Sequence, residues 1–259
     1  MLMEAVKIEM GATERWPDNV KLYQQYQAEQ ITFPDYAASL SVKTFLYMCG
    51  LEFSTVPKIN AEEMSPSGRV PFIHIGPFLV SEFEPIVAYV QTRGFGLNDD
   101  LTDVQKSELK AYIKLIGSTL VNAELYLSWL VPEVYEKVTK ARYGAMYAWP
   151  LNCILPYQKF LSVQKQLAAS EWKNKTFAEV CEEVETCCQA LNDRLGTQNF
   201  FFGKKPTELD ALVFGHISTL LTTDLPRNEF ADIIRRYDNL LVFLKRIDAE
   251  YFDALRNSY

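Results

Sequence analysis

Apolar positions change their period near residue 100 of this chain, and two kinds of architecture follow from the change. Before that point apolar residues come in short runs between turn residues. Residues 20–24 form a strand-like run, and residues 25–34 are polar and loop-like. Leu40, Phe45, Leu46 and Met48 keep helical spacings within 36–50, and Gly50 stands where a helix ends on a left-handed residue. Residues 52–56 alternate toward a second strand, and NAEEMSPSG (60–68) reads as a loop. Residues 70–75 and 78–80 pair as a hairpin across Gly76 and Pro77, and a short helix over 85–91 ends at Gly94 and Gly96.

From residue 101 the period is helical almost throughout. Leu109, Tyr112, Ile113, Ile116, Leu120, Ala123, Leu127 and Leu130 recur at threes and fours, which predicts one long helix over 102–130. A helix over 176–195 is closed by Gly196, and a last one covers 239–251 with Leu240, Phe243, Leu244, Ile247 and Tyr251 on one face. The strongest local signal is PTELDALVFGHISTLL (206–221). Thr207 suits a helix cap, and Asp210, three residues on, can reach back to the cap amide. Leu209, Leu212, Val213, Ile217, Leu220 and Leu221 make a stripe wide enough to bury that helix on most sides. His216 lies on the stripe with no acid or nucleophile in the local pattern, and reads as a satisfied core histidine. The pattern therefore divides the chain into an α/β domain over 18–97 and an all-α domain over 101–255, an α+β protein overall.

Composition narrows the functional classes. With 259 residues, 48% of them hydrophobic, the chain can fill a core. Its 33 acids against 26 bases give a net charge of −7, which argues against duplex nucleic acid and against non-specific attraction to anionic lipid. Cys49, Cys153, Cys181, Cys187 and Cys188 are odd in number and form no CxxC pair, so a reducing compartment fits better than a disulfide framework. His74 and His216 are the only histidines and belong to no ligand-spaced cluster; neither a metal nor a cofactor is expected. The first residues, MLMEAVKIEMGATERW, have no apolar signal core, and their acids are wrong for a matrix presequence. The longest uncharged stretch, 143–158, contains two prolines, an Asn and a Gln; the next, 211–223, is too short to span a bilayer, and the terminal RNSY carries no lipidation motif.

A βα–ββα pattern with Pro71 opening the third strand, followed by helices, resembles the glutathione-transferase fold, with a thioredoxin-like first domain and an all-helical second. That resemblance implies a cis Val70–Pro71 bond presenting backbone groups to a ligand, and a Thr207–Asp210 box capping the central helix. LYQQ, MSPSGRVPFIH, ARYGAMYAWPLNCILPYQK, CCQAL, RLGTQNFFF and PTELDALVFGH together resemble the metaxin family, from about residue 16 to 252. The family resemblance implies a protein on the cytosolic face of the mitochondrial outer membrane, associated with the machinery that assembles β-barrel proteins and with motor-adaptor proteins. In the branch without a tail anchor, a metaxin-1-type paralogue holds the protein in place. With no spanning segment and no polybasic run, the isolated chain is expected to ignore lipid vesicles.

Glutathione chemistry requires a hydroxyl or thiol near the first strand–helix turn, the proline edge, and an acid–serine pair opening the third helix. Pro71 supplies the edge. In VSEFEPIVAYV the acid is Glu82, but Phe83 replaces the serine, adding bulk where the peptide would lie, and Ser81 is turned away. Tyr23 and Tyr26 are near the first strand's end, while the loop at 27–34 holds no Ser or Cys. Tyr23 reads as a strand residue packing on the core, with a transferase that uses it as the alternative. Cys49, late in its helix, reads as a buried inert thiol. A non-enzymatic interaction protein is expected. Its expected partner contacts are Arg142, Tyr143, Tyr147 and Trp149, which are typical interface anchors; the alternative is a loop whose aromatics fill the core. NFFFGKKP (199–206) is a second candidate surface, or else a hydrophobic staple ahead of the next helix.

Overall fold

The computed structural model describes residues 15–253. The expected domain end at residue 255 and the readings on 1–14 and 256–259 lie outside the described residues. Strands β1 (Lys21–Gln24), β2 (Ser54–Pro57), β3 (Phe72–Ile75) and β4 (Phe78–Ser81) form one mixed sheet in the order β2-β1-β3-β4. β1 and β2 are parallel, with Leu22 opposite Thr55; β3 is antiparallel to both neighbours, with Ile73 opposite Leu22 and Val80. Side chains alternate across a sheet, so Leu22, Ile73 and Ile75 are buried together. Helices α1 (Phe33–Met48), α2 (Ala61–Met64) and α3 (Phe83–Thr92) complete this part.

Two local readings shift here. α1 starts at Phe33, ahead of the apolar spacing, because Pro34 in its first turn has no amide to satisfy and Thr32 is already extended at its cap. The 60–68 stretch is not all loop. Ala61, Glu62, Glu63 and Met64 are good helix formers and make one turn, which ends at Ser65 before Pro66.

The helical part begins with α4 (Asp103–Ser118), whose cap Thr102 exchanges hydrogen bonds with Gln105. The expected single helix over 102–130 is broken. Thr119 (φ −112°, ψ −68°) departs from regular helical dihedrals; α5 (Leu120–Leu125) follows and passes into a π-helical turn at Tyr126–Leu130. Gly117, Ser118 and Thr119 are weak helix formers in sequence, and Asn122 Nδ2 donates to the Ser118 carbonyl at 2.9 Å. The apolar stripe survives the break, since Leu120, Ala123 and Leu127 remain buried. Next come α6 (Pro132–Val134), a second π turn at Tyr135–Thr139, α7 (Lys140–Gly144), α8 (Leu151–Ala169) and α9 (Phe177–Leu195). The last are α10 (Glu208–Thr222), α11 (Glu229–Ile234) and α12 (Asp238–Tyr251). The Val70–Pro71 and Trp149–Pro150 peptide bonds are cis.

α10 is buried along most of its length and packs against α1. A Cβ on Gly215 would stand 2.1 Å from Ser41 Oγ and 2.5 Å from Ser41 N, so the helices meet at a spacing that only glycine permits. Ser41 turns its hydroxyl back to the Ala37 carbonyl at 2.9 Å. At the head of α10, Asp210 Oδ2 accepts from Thr207 N (2.7 Å) and Thr207 Oγ1 (2.6 Å), while Oδ1 accepts from Phe201 N (2.9 Å). One buried carboxylate thus starts the helix and holds the preceding loop. Phe200 and Phe201 of that loop are buried, and the Arg194 guanidinium lies 4.3 Å over the half-buried Phe202 ring.

Two substitutions test this joint. Gly215→Ala should cost about 1–3 kcal/mol or more, because the added methyl meets backbone as well as a side chain. Asp210→Ala leaves buried donors unpaired and should cost about 2–4 kcal/mol in denaturant unfolding, beyond a simple cap. Superimposable unfolding curves for wild type and either variant would refute the corresponding assignment.

Candidate functional site

The two parts of the chain enclose a cleft of about 810 Å³. The sheet-bearing part contributes the head of α1, the loop before β3 and the head of α3; the helical part contributes Ile116, Trp129, Lys159 and His216.

The proline edge is built into the sheet. Pro71 accepts from the Glu82 amide at 3.1 Å. Glu82 takes a left-handed conformation (φ 71°, ψ 156°), rare outside glycine, and its carboxylate is 3.0 Å from Arg69. Phe83, expected to obstruct the ligand path, lines the cleft but packs its ring edge-on against the buried Phe45, with centroids 6.0 Å apart. Tyr23 does not line the cleft: its ring stacks on Phe72 at 4.8 Å. Of the strand–helix turn at 25–34, the hydroxyl that lines the cleft is that of Thr32, neither a Ser nor a Cys. Thr32 stands at the N-cap position of α1, and its hydroxyl donates to Asp35 Oδ2 at 2.7 Å.

Beside it is a network that the sequence did not announce. Glu62, on the short α2, accepts from Lys159 Nζ and from the Tyr143 hydroxyl, each at 2.6 Å. Burial pushes the Asp35 carboxyl up to about 6, with Lys159 opposing. Burial alone would lower Lys159, but Asp35 and Glu62 outweigh it and hold the ammonium above its ordinary value. Burial, reinforced by Glu62, raises the Tyr143 hydroxyl. At the cleft wall, His216 Nδ1 lies 2.8 Å from Glu124 Oε1, both groups buried; burial raises the Glu124 carboxyl against the opposing His216. His216 is thus partnered, but by an acid 92 residues away, which no local pattern could expose.

The expected partner contacts separate. Arg142 donates to the carbonyls of Ile31 (3.1 Å) and Gln27 (2.9 Å), Tyr143 to Glu62, and Tyr147 to the Ile59 carbonyl (3.0 Å). These three side chains hold α7 and the following turn against the sheet-bearing part. Trp149 stands 82% exposed. Burial disfavours the thiolate at four cysteines: it pushes the half-buried Cys49 and the buried Cys188 up to about 12, and raises Cys181 and Cys187. Among the described residues no cluster of three or more His, Cys, Asp or Glu side chains is placed to hold a metal, and no helix is long and apolar enough to cross a membrane.

Residues 39–160 match the Tom37 family, "Outer mitochondrial membrane transport complex protein", and residues 184–247 match the glutathione S-transferase C-terminal domain. The chain is 51% identical to Metaxin-2 of Mus musculus over 98% of its own length and 96% of that protein. It is 28% identical to Metaxin-1 of the same organism, over 83% of this chain and 69% of that one. Among solved structures, a β-etherase from Sphingobium superimposes with a TM-score of 0.61 over 93% of this chain and 99% of the other, at 16% identity. At that identity the likeness shows the fold alone: that of the glutathione transferases, a small mixed sheet followed by helices.

Asp35 gives the cleft a measurable signature. Its carboxyl sits above the ordinary 3.8, at about 6. Folding therefore takes up a proton there, so this group's contribution is complete below about pH 4 and is lost as pH rises through about 6. Asp35→Asn should remove about 1–2 kcal/mol of that fall between pH 4 and 7, allowing for partial solvent screening. Parallel stability–pH curves for the two proteins would refute it.

Proposed function

The chain belongs to the metaxin family, and we propose that it acts as a non-catalytic subunit of a protein-transport assembly at the cytosolic face of the mitochondrial outer membrane. Its partners in this reading are a metaxin-1-type paralogue and the machinery that assembles β-barrel proteins, with motor-adaptor proteins as a further role. The observation that carries the non-catalytic part is the state of the cleft. Three polar side chains of the cleft are already bound within the protein: Glu82 by Arg69, Thr32 by Asp35, Lys159 by Glu62. Among the described residues lining the cleft there is no cysteine and no tyrosine; Tyr23 is stacked in the sheet. The mitochondrial part is supported by the likeness to Metaxin-2 and by the Tom37 match over 39–160.

The competing reading is a glutathione-dependent transferase using Tyr23, favoured by the open cleft and the retained proline edge. Passage over a glutathione matrix, with a conjugation assay, separates the two. Flow-through without turnover is expected; specific elution with turnover that disappears in Tyr23→Phe would defeat the non-catalytic reading. In cells the protein should fractionate with mitochondria and be digested by protease added to the intact organelle. Depleting the metaxin-1-type partner should release it to the cytosol or lead to its degradation. Protection from the protease, or unchanged retention without the partner, would refute the placement.

A further inference from the structure

Two buried side chains of the cleft keep one polar atom each without a partner. His216, on α10, is 3% exposed and lines the cleft. Its Nδ1 lies 2.8 Å from Oε1 of Glu124, which is fully buried on α5 and outside the cleft lining. A carboxylate on one ring nitrogen fixes the orientation of an imidazole and leaves the other nitrogen to whatever the ring faces. His216 Nε2 bonds no group among the described residues, yet it is not sealed from solvent. Asn122, on α5, also lines the cleft and is 8% exposed. Its Nδ2 is used on the Ser118 carbonyl at 2.9 Å, while its Oδ1 is likewise unpartnered and unsealed. Polar atoms of buried side chains are normally satisfied.

The wall that the helical part gives the cleft is otherwise mainly apolar, with Ile116, Leu125, Trp129, Val163 and Leu212. Gly117, near the end of α4, lines it too, and a Cβ built there meets nothing within 4 Å. Glycine is a poor helix former, and here it leaves open a space that a longer side chain would fill. Charge narrows what can enter. The charged groups lining the cleft are matched: Arg69 with Glu82, Glu84 with Lys114, and Lys159 with Glu62 and Asp35. An anion at His216 would face Glu124 directly behind the ring, and a cation finds no unmatched carboxylate on the lining. A neutral molecule meets neither obstacle. The volume of about 810 Å³ suits a compound held mostly by apolar contact and oriented by a few polar groups.

We propose that this part of the cleft binds a neutral, mainly apolar small molecule bearing a hydroxyl group, anchored at His216 Nε2 and Asn122 Oδ1. A hydroxyl suits both atoms, because it accepts from a ring N–H and donates to an amide oxygen. A carbonyl could serve only the ring, and a carboxylate would be repelled by Glu124. The molecule is held rather than transformed, since no cysteine stands in the lining to attack it. It touches α4, α5, α8 and α10 together, so it stabilises the packing of the helical part by binding only the folded form. The proposal goes beyond the transport-subunit reading and does not depend on it.

The test uses the purified full-length chain and three probes that share one apolar body: 1-naphthol, naphthalene and 1-naphthoate. In equilibrium dialysis 1-naphthol should bind, and the other two should bind about tenfold more weakly, the effect of losing one buried hydrogen bond. His74 and His216 are the only histidines, so ring signals in NMR distinguish them. Addition of 1-naphthol should shift those of His216 and leave those of His74, on β3, in place. Gly117→Leu should fill the open space and weaken 1-naphthol about tenfold or more, with an unfolding midpoint unchanged or raised, because leucine is the better helix former. His216→Phe should bring 1-naphthol down to the level of naphthalene; if that variant fails to fold, Gly117→Leu and the ring signals decide. The proposal is overturned if 1-naphthol does not bind, binds no better than naphthalene, or binds Gly117→Leu as well as wild type. Tighter binding of 1-naphthoate than of 1-naphthol would overturn it too, since the site would then be one for anions. Each of these results leaves the metaxin reading, tested by fractionation, intact.

Discussion

The contact on which the rest of the molecule depends is the approach of α1 to α10 at Ser41 and Gly215. Backbone comes close enough there that no Cβ fits on the α10 side. This fixes the distance between the sheet-bearing part and the helices, because α1 carries one wall of the cleft and α10 another. Asp35 is a turn and a half before Ser41 on α1, and Leu212 and His216 flank Gly215 on α10; all three line the cleft. Asp210 sets where α10 begins and ties that start to the Phe200–Phe201 loop. Cleft geometry thus follows from one glycine and one buried carboxylate, neither of which needs a ligand.

Inside that geometry the charged groups are spent on the protein. Hydrogen bonds to charged groups are the stronger kind, and a buried charge without a partner is costly. The cleft answers with pairs: Glu62 to Lys159 and Tyr143 across the two parts of the chain, Asp35 to Thr32 at the head of α1, and Glu82 to Arg69 beside the proline edge. Of these, the links from Glu62 to Lys159 and Tyr143 tie the two parts of the chain together. The fold is that of the transferases, and these polar groups of the cleft are engaged within the protein. Fold likeness alone would not reveal this, because function lies in the site.

The surface has the opposite character. α7 and the turn after it use Arg142, Tyr143 and Tyr147 to grip the sheet-bearing part, and this grip presents α8 with Trp149 facing outward. The residues that looked like interface anchors divide into an internal clamp and an exposed remainder. On the outer face of α8, Leu151, Ile154, Tyr157 and Leu161 are 44–58% exposed.

The sequence by itself determined the four strands, the helices over 36–48, 177–195, 208–222 and 239–251, and several of their ends. Alternation, helical spacing, Gly50, Gly196 and the Thr207–Asp210 pair depend only on neighbours within a few residues, and the two-part α+β division followed from them. It also determined the absence of a reactive thiol motif and the loss of the serine at Phe83. Tertiary structure alone decided partnerships across long separations. Glu124 meets His216 across 92 residues, Glu62 meets Lys159 across 97, and the inward turn of Arg142 depends on carbonyls more than a hundred residues earlier. The break at Thr119 was hidden because an interrupted helix can keep its apolar stripe facing the core. The outer face of α8 was hidden for a related reason. Apolar periodicity shows that a helix has an apolar side, but a helix apolar on two sides shows no preferred one, and only packing reveals which side remains in contact with water.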